Sequence, residues 1–149
     1  MRSGRCEVVN SCEKNLYFQA FSLSLKSSFV DLCLMIDLKL RTKEFALQII
    51  RMLQLIPFST TSAILTRQLI RSATSVGANY RSALRAKSKA DFIAKLAIAQ
   101  EEADECCYWL DLIIDLNIAD PEKSKFLFNE ANELTAILTA SSKTAKSNK

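Results

Sequence analysis

Apolar side chains recur at helical spacing along most of the chain. Phe45, Ile49, Leu53 and Ile56 follow at steps of four, four and three, which predicts helix 1 over residues 37–56. Pro57 removes a backbone donor and stops it. The segment "PFSTTS" reads as a loop, with Ser59 or Thr60 available to cap the next helix. Helix 2 is predicted over residues 61–86. Leu65, Leu69, Ala73, Val76, Tyr80 and Ala83 fall on one side of it. Arg67, Arg71, Thr74, Ala78, Arg81 and Arg85 fall on the other.

Helix 3 is predicted to start after Ser88, where "SKAD" is a Ser-x-x-Asp capping signal, and to end near Asn117. Phe92, Leu96, Ala99, Ala103, Cys107, Leu110 and Ile114 form its core side. Glu101, Asp104, Glu105, Asp111 and Asp115 form the opposite side. Helix 4 opens at "DPEK", with Asp120 as cap and Pro121 in the first turn. Phe126, Leu127, Leu134, Ile137 and Leu138 are its expected core residues. Residues 141–149, "SSKTAKSNK", read as a polar basic tail expected to fray. Four helices with short links make an all-α, antiparallel up-down bundle the economical fold.

Composition supports this reading. The chain has 149 residues, 49% of them hydrophobic, with only two glycines and two prolines. That allows one domain with a real core and few turns. Gly77 stands inside helix 2, where glycine costs about 1 kcal/mol against alanine, so close packing is the expected reason for it. Ser72, Ala73, Ser75 and Ala78 are small as well, and together they let a second helix approach.

Net charge is +4, but its distribution says more. Residues 60–100 carry seven basic side chains (Arg67, Arg71, Arg81, Arg85, Lys87, Lys89, Lys95) against one acid, Asp91. Residues 101–120 carry seven acids and no base, and Lys143, Lys146 and Lys149 close the chain. Helix 2 therefore shows a basic face and helix 3 an acidic one. Such asymmetry fits a nucleic-acid partner, a self-complementary surface or a merely solvated face.

The sequence contains no histidine. This excludes imidazole acid–base catalysis, Ser-His-Asp and Cys-His arrangements, and the Glu-x-x-His pairs of di-iron bundles. Two glycines cannot build a phosphate-cradling loop. The five cysteines include adjacent Cys106 and Cys107 on a helical pattern and no pair of Cys-x-x-Cys motifs, so reduced thiols in a cytoplasm are the simplest reading. Residues 16–38 are apolar but interrupted by Lys26 and Asp31, which argues against a membrane span. No catalytic residue, cofactor or metal is expected.

Three segments carry a family resemblance: "RTKEFALQIIRMLQLIP", "RQLIRSATSVGANYRSALRAKSKADFIAKLAIAQEEADECCYWLDLI" and "SSKTAKSN". Over residues 37–148 the chain resembles the bacterial four-helix-bundle family, also called the intervening-sequence protein family of the large-subunit ribosomal RNA. Gln68, Leu69, Arg71, Ser72, Ser75, Ala78 and Asn79 match its helix 2 signature. Ser88, Asp91, Phe92, Lys95 and Leu96, then Glu102, Ala103, Glu105, Trp109 and Leu110, match helix 3. Many members carry a Glu shortly after the Asn79 position, where this chain has Arg81 and Ser82 after Tyr80. The resemblance implies a left-handed bundle and no enzymatic activity. A related retroelement accessory protein is a basic homopentamer that associates with a reverse transcriptase and nucleic acid. By that resemblance a homo-oligomer, most simply a pentamer, is expected, with RNA, a ribonucleoprotein or a reverse transcriptase as partner.

Residues 1–34 have no counterpart in the resemblance. They read as an extension, poorly ordered or upstream of a native start at Met35, before a bundle over 35–140. Two functions compete. In a nucleic-acid-associated assembly, Arg67, Arg71, Arg81, Arg85, Lys87 and Lys89 are the candidate phosphate contacts. In a purely structural oligomer, the arginines pair with helix 3 of a neighbouring subunit, and Glu101, Glu105, Asp111 and Trp109 are the candidate contacts. A third class, an enzyme, is disfavoured by the missing histidines.

Overall fold

The computed structural model describes residues 27–147. Most of the extension expected over residues 1–34 lies outside the described residues. Four helices follow one another: α1 (Ser27–Leu53), α2 (Thr60–Ala83), α3 (Lys89–Asp115) and α4 (Pro121–Ser147). There is no strand among the described residues.

Each boundary has a local cause. α1 contains no glycine or proline, so nothing breaks it between Ser27 and Leu53. It ends three residues before the expected Ile56. Its last turn tightens, with Leu55 N donating to Met52 O and Ile56 N to Leu53 O. Pro57 explains this, because its ring clashes with the carbonyl four residues back and disfavours helical geometry at Ile56. Ser59 caps α2: its Oγ accepts from Ser62 N, and Ser62 Oγ accepts from Ser59 N. α2 closes at Ala83, short of the expected Ala86, through turns from Arg85 N to Ser82 O and Ala86 N to Ala83 O. Ser88 caps α3 by accepting from Asp91 N. The Asp91 carboxylate accepts from Lys87 N and Lys95 Nζ, and these bonds, Lys95 foremost, hold its pKa below the usual range.

α3 ends in a Schellman turn. Ile118 N donates to Ile113 O and Asn117 N to Ile114 O, while Asn117 adopts φ 49°. Asn117 thus marks the stop, as its residue type suggested. Asp120 caps α4 through Oδ1, which accepts from Lys123 N. α4 then continues through the segment expected to fray. Ser142 is buried and Ser141 Oγ donates to Ile137 O, so the polar residues there fit a packed helix.

The helices run up and down. α1 meets α2 in antiparallel register, with Arg81 Nη2 on Lys39 O and Gly77 beside Thr42. α2 packs on α3 and α3 on α4. α4 returns to α1, where Ser124 Oγ lies 3.5 Å from Met52 Sδ and Glu130 meets Arg41. The buried positions step by threes and fours: Leu38, Thr42, Phe45, Ile49 and Met52 on α1; Leu96, Ala99, Ala103, Cys106, Leu110 and Ile113 on α3; Ser124, Leu127, Ala131, Leu134 and Leu138 on α4. The α2 side foreseen from the pattern is buried throughout.

Elsewhere the core is rotated slightly from expectation. Phe126 is exposed, and Ser124 and Ala131 take the inward places beside Leu127. Ile113 is buried where Ile114 was expected, and Ile56, Phe92, Ile114 and Ile137 are half-buried. Bulk suggested Phe126, but the heptad through Leu127 and Leu134 leaves no inward slot for it.

Gly77 allows a close approach. A Cβ there would lie 3.0 Å from Arg81 Nη1 and 3.5 Å from Thr42 Oγ1. The first neighbour is the far end of a flexible side chain, and the second is at ordinary contact distance. Gly77→Ala should therefore be neutral to about 1 kcal/mol stabilising through helix propensity, read from urea midpoints. A loss above about 1 kcal/mol would mean that Arg81 cannot shift.

Candidate nucleic-acid interface

The four arginines expected on α2 do not act as one stripe. Arg67 is exposed, and among the described residues its side chain has no hydrogen-bonding or ionic partner. Arg71 turns to α3. Its Nη2 donates to Glu105 Oε2 at 2.9 Å, and its Nη1 lies 3.8 Å from Glu102 Oε1. Ser72 Oγ, fully buried, donates to the same Glu105 oxygen at 2.8 Å. Arg81 folds back along its own helix. Its Nη1 donates to Gly77 O and its Nη2 to Lys39 O, joining α2 to α1. Glycine at 77 is what leaves room for that guanidinium.

Arg85, in the turn after α2, is exposed and has no side-chain partner among the described residues. Lys87 is exposed in the α2–α3 link, and Lys89 is exposed at the first position of α3. The sequence grouping thus separates into an isolated Arg67, two internally engaged arginines, and a cluster at the α2–α3 turn.

The acidic residues of α3 are placed unequally. Glu101 and Asp111 are exposed, whereas Glu105 is half-buried and already paired with Arg71 within the chain. Part of the complementarity between α2 and α3 is therefore met inside one bundle. Trp109 is half-buried with its ring edge against Tyr108, centroids 4.9 Å apart. Its Nε1, like Glu102 Oε2, is buried with no hydrogen-bond partner among the described residues.

One polar junction escaped the sequence reading. Arg41 Nε and Nη2 donate to the two oxygens of Glu130 at 2.6 and 2.8 Å, and Nη2 also donates to Glu133. The Glu130 hydrogen bond, opposed by burial and aided by Glu133, holds the guanidinium above its ordinary pKa. No sequence signal links residues 89 positions apart.

Residues 36–140 match the profile of the 23S rRNA-intervening sequence protein family. The chain belongs to this family. Among solved structures it is similar to a protein of unknown function from the S23 ribosomal protein family of Bacteroides thetaiotaomicron. Identity is 35% and the TM-score 0.67, over 73% of this chain and 97% of that one. No curated protein matches.

The chemistry open to this intervening-sequence family member is limited. Burial, with smaller contributions from Cys107, Glu102 and Glu105, pushes the Cys106 thiol well above its ordinary pKa. Burial does the same to Cys107. Neither is placed as an accessible nucleophile. Among the described residues, no three Cys, Asp or Glu side chains gather as metal ligands, and no helix is long and apolar enough to cross a membrane.

Proposed function

We propose that the protein is a non-catalytic, oligomeric bundle that associates with RNA through basic side chains on and just after α2. The observation that carries this reading is the exposure of Arg67, Arg85 and Lys87, whose side chains have no partner among the described residues. Guanidinium and ammonium groups so presented can contact phosphates without reading sequence. The family description, an intervening-sequence protein of the 23S rRNA, agrees with an RNA partner. The resemblance extends the proposal to a homopentamer, to a ribonucleoprotein or reverse transcriptase as partner, and to the cytoplasm. Exposed Leu55, Phe58, Ile64 and Leu116 offer apolar area for subunits to bury.

Light scattering at micromolar concentration is expected to give a discrete oligomer. RNA binding by that oligomer should fall with salt at a log–log slope of roughly −0.7 to −0.9 per phosphate contacted. A monomer, or no RNA binding in low salt, would overturn the corresponding half of the reading. A purely structural oligomer is the second reading, favoured by exposed Glu101 and Asp111 on α3. It predicts that Glu101→Gln with Asp111→Asn dissociates the oligomer while wild type ignores RNA.

A further inference from the structure

The two ends of the bundle differ in chemistry. α3 and α4 each have 27 residues and run antiparallel from a short link, so the start of α3 lies level with the end of α4. α2 ends at that same level, one link before α3. The topology therefore brings Arg85, Lys87 and Lys89 to one end together with Lys143 and Lys146, more than fifty positions later in the chain and all exposed. Among the side chains that are described, the acids there are Asp37, exposed on α1, and Asp91, which is engaged by Lys95. Among the described residues, Arg85, Lys87, Lys143 and Lys146 thus give this end an excess of positive charge.

The opposite end carries the exposed apolar residues Leu55 and Phe58 in the α1–α2 link, Ile64 and Phe126 in the opening turns of α2 and α4, and Leu116 after α3. At the basic end Leu40 is 61% exposed on α1, three residues from Asp37, and the described cations outnumber the described carboxylates. Phosphates on a nucleic-acid backbone need only positive charge and hydrogen-bond donors.

Resting on the RNA reading above, we infer that the phosphate-binding surface is this basic end, shared by the α2–α3 turn and the last turns of α4, rather than the length of α2. Arg71 and Arg81 are committed within the chain. Arg67 lies 16 residues before Ala83, about 24 Å along the helix. Lys143 and Lys146 should therefore contribute as much as Arg85 and Lys87, which an α2 stripe does not require.

The test measures binding of the full chain to an unstructured RNA oligonucleotide across a salt series. The variants are Arg85→Gln/Lys87→Gln, Lys143→Gln/Lys146→Gln and the control Lys125→Gln near the opposite end. Each pair should flatten the slope by about one to two units and weaken binding roughly 10- to 50-fold near 0.1 M salt. Helicity and oligomer size should not change, and Lys125→Gln should bind as wild type. Slopes kept in both pairs but lost in Arg67→Gln would overturn this inference and leave RNA association standing. Wild type that ignores RNA would overturn both, whether or not it binds phosphatidylserine vesicles.

Discussion

Leu110→Ala should destabilise the protein by about 4 kcal/mol, while Phe126→Ala should change stability by less than about 0.5 kcal/mol. Leu110 is fully buried on the inward side of α3. Truncating its isobutyl group to a methyl takes away the transfer free energy of three carbons and leaves a cavity. Neighbours on adjacent helices cannot close that cavity without moving backbone. Phe126 is larger and more apolar, but 57% of its surface is exposed on α4, so little burial is lost with it. Urea midpoints at one protein concentration check both, since assembly makes apparent stability depend on concentration. Equal losses at the two positions would place Phe126 in an interior and refute the register given for α4.

Arg41→Ala should cost about 2 kcal/mol, between the value of an exposed pair and that of a fully buried one. The Arg41 and Glu130 side chains are each about a fifth exposed, at 20% and 19%. Glu133, at 65%, adds little because water competes for it. Removing Arg41 leaves the Glu130 carboxylate partly desolvated with its bidentate donor gone. Arg41→Lys keeps the charge but loses the fork, and should recover less than half the loss. A double-mutant cycle with Glu130→Ala should give a coupling of at least about 1 kcal/mol. No coupling, together with a cost below about 0.5 kcal/mol for Arg41→Ala, would show that the pair contributes nothing to stability.

By itself the sequence determined the local features. Pro57, Ser59, Ser88, Asn117 and Asp120 marked the helix ends, because caps and breakers act within a few residues of themselves. The α2 core side from Leu65 to Ala83 was legible because its apolar residues alternate cleanly with polar ones. α4 was harder, since Phe126, Leu127 and Phe128 are consecutive and apolarity cannot say which one turns inward.

Leu127 was among the expected core residues, but only the tertiary structure decided that Phe126 stays outside, through the heptad Leu127 shares with Ala131 and Leu134. The same holds for the candidate interface. The arginine spacing on α2 was visible in the sequence, but the use of Arg71 by Glu105 and of Arg81 by α1 was not. Nor was the placing of Lys143 and Lys146 at the same end of the bundle as the α2–α3 turn. Periodicity within a helix is fixed by backbone geometry, and so a sequence carries it. Which charges meet depends on the register and neighbours of packed helices, set by the fit of all four together.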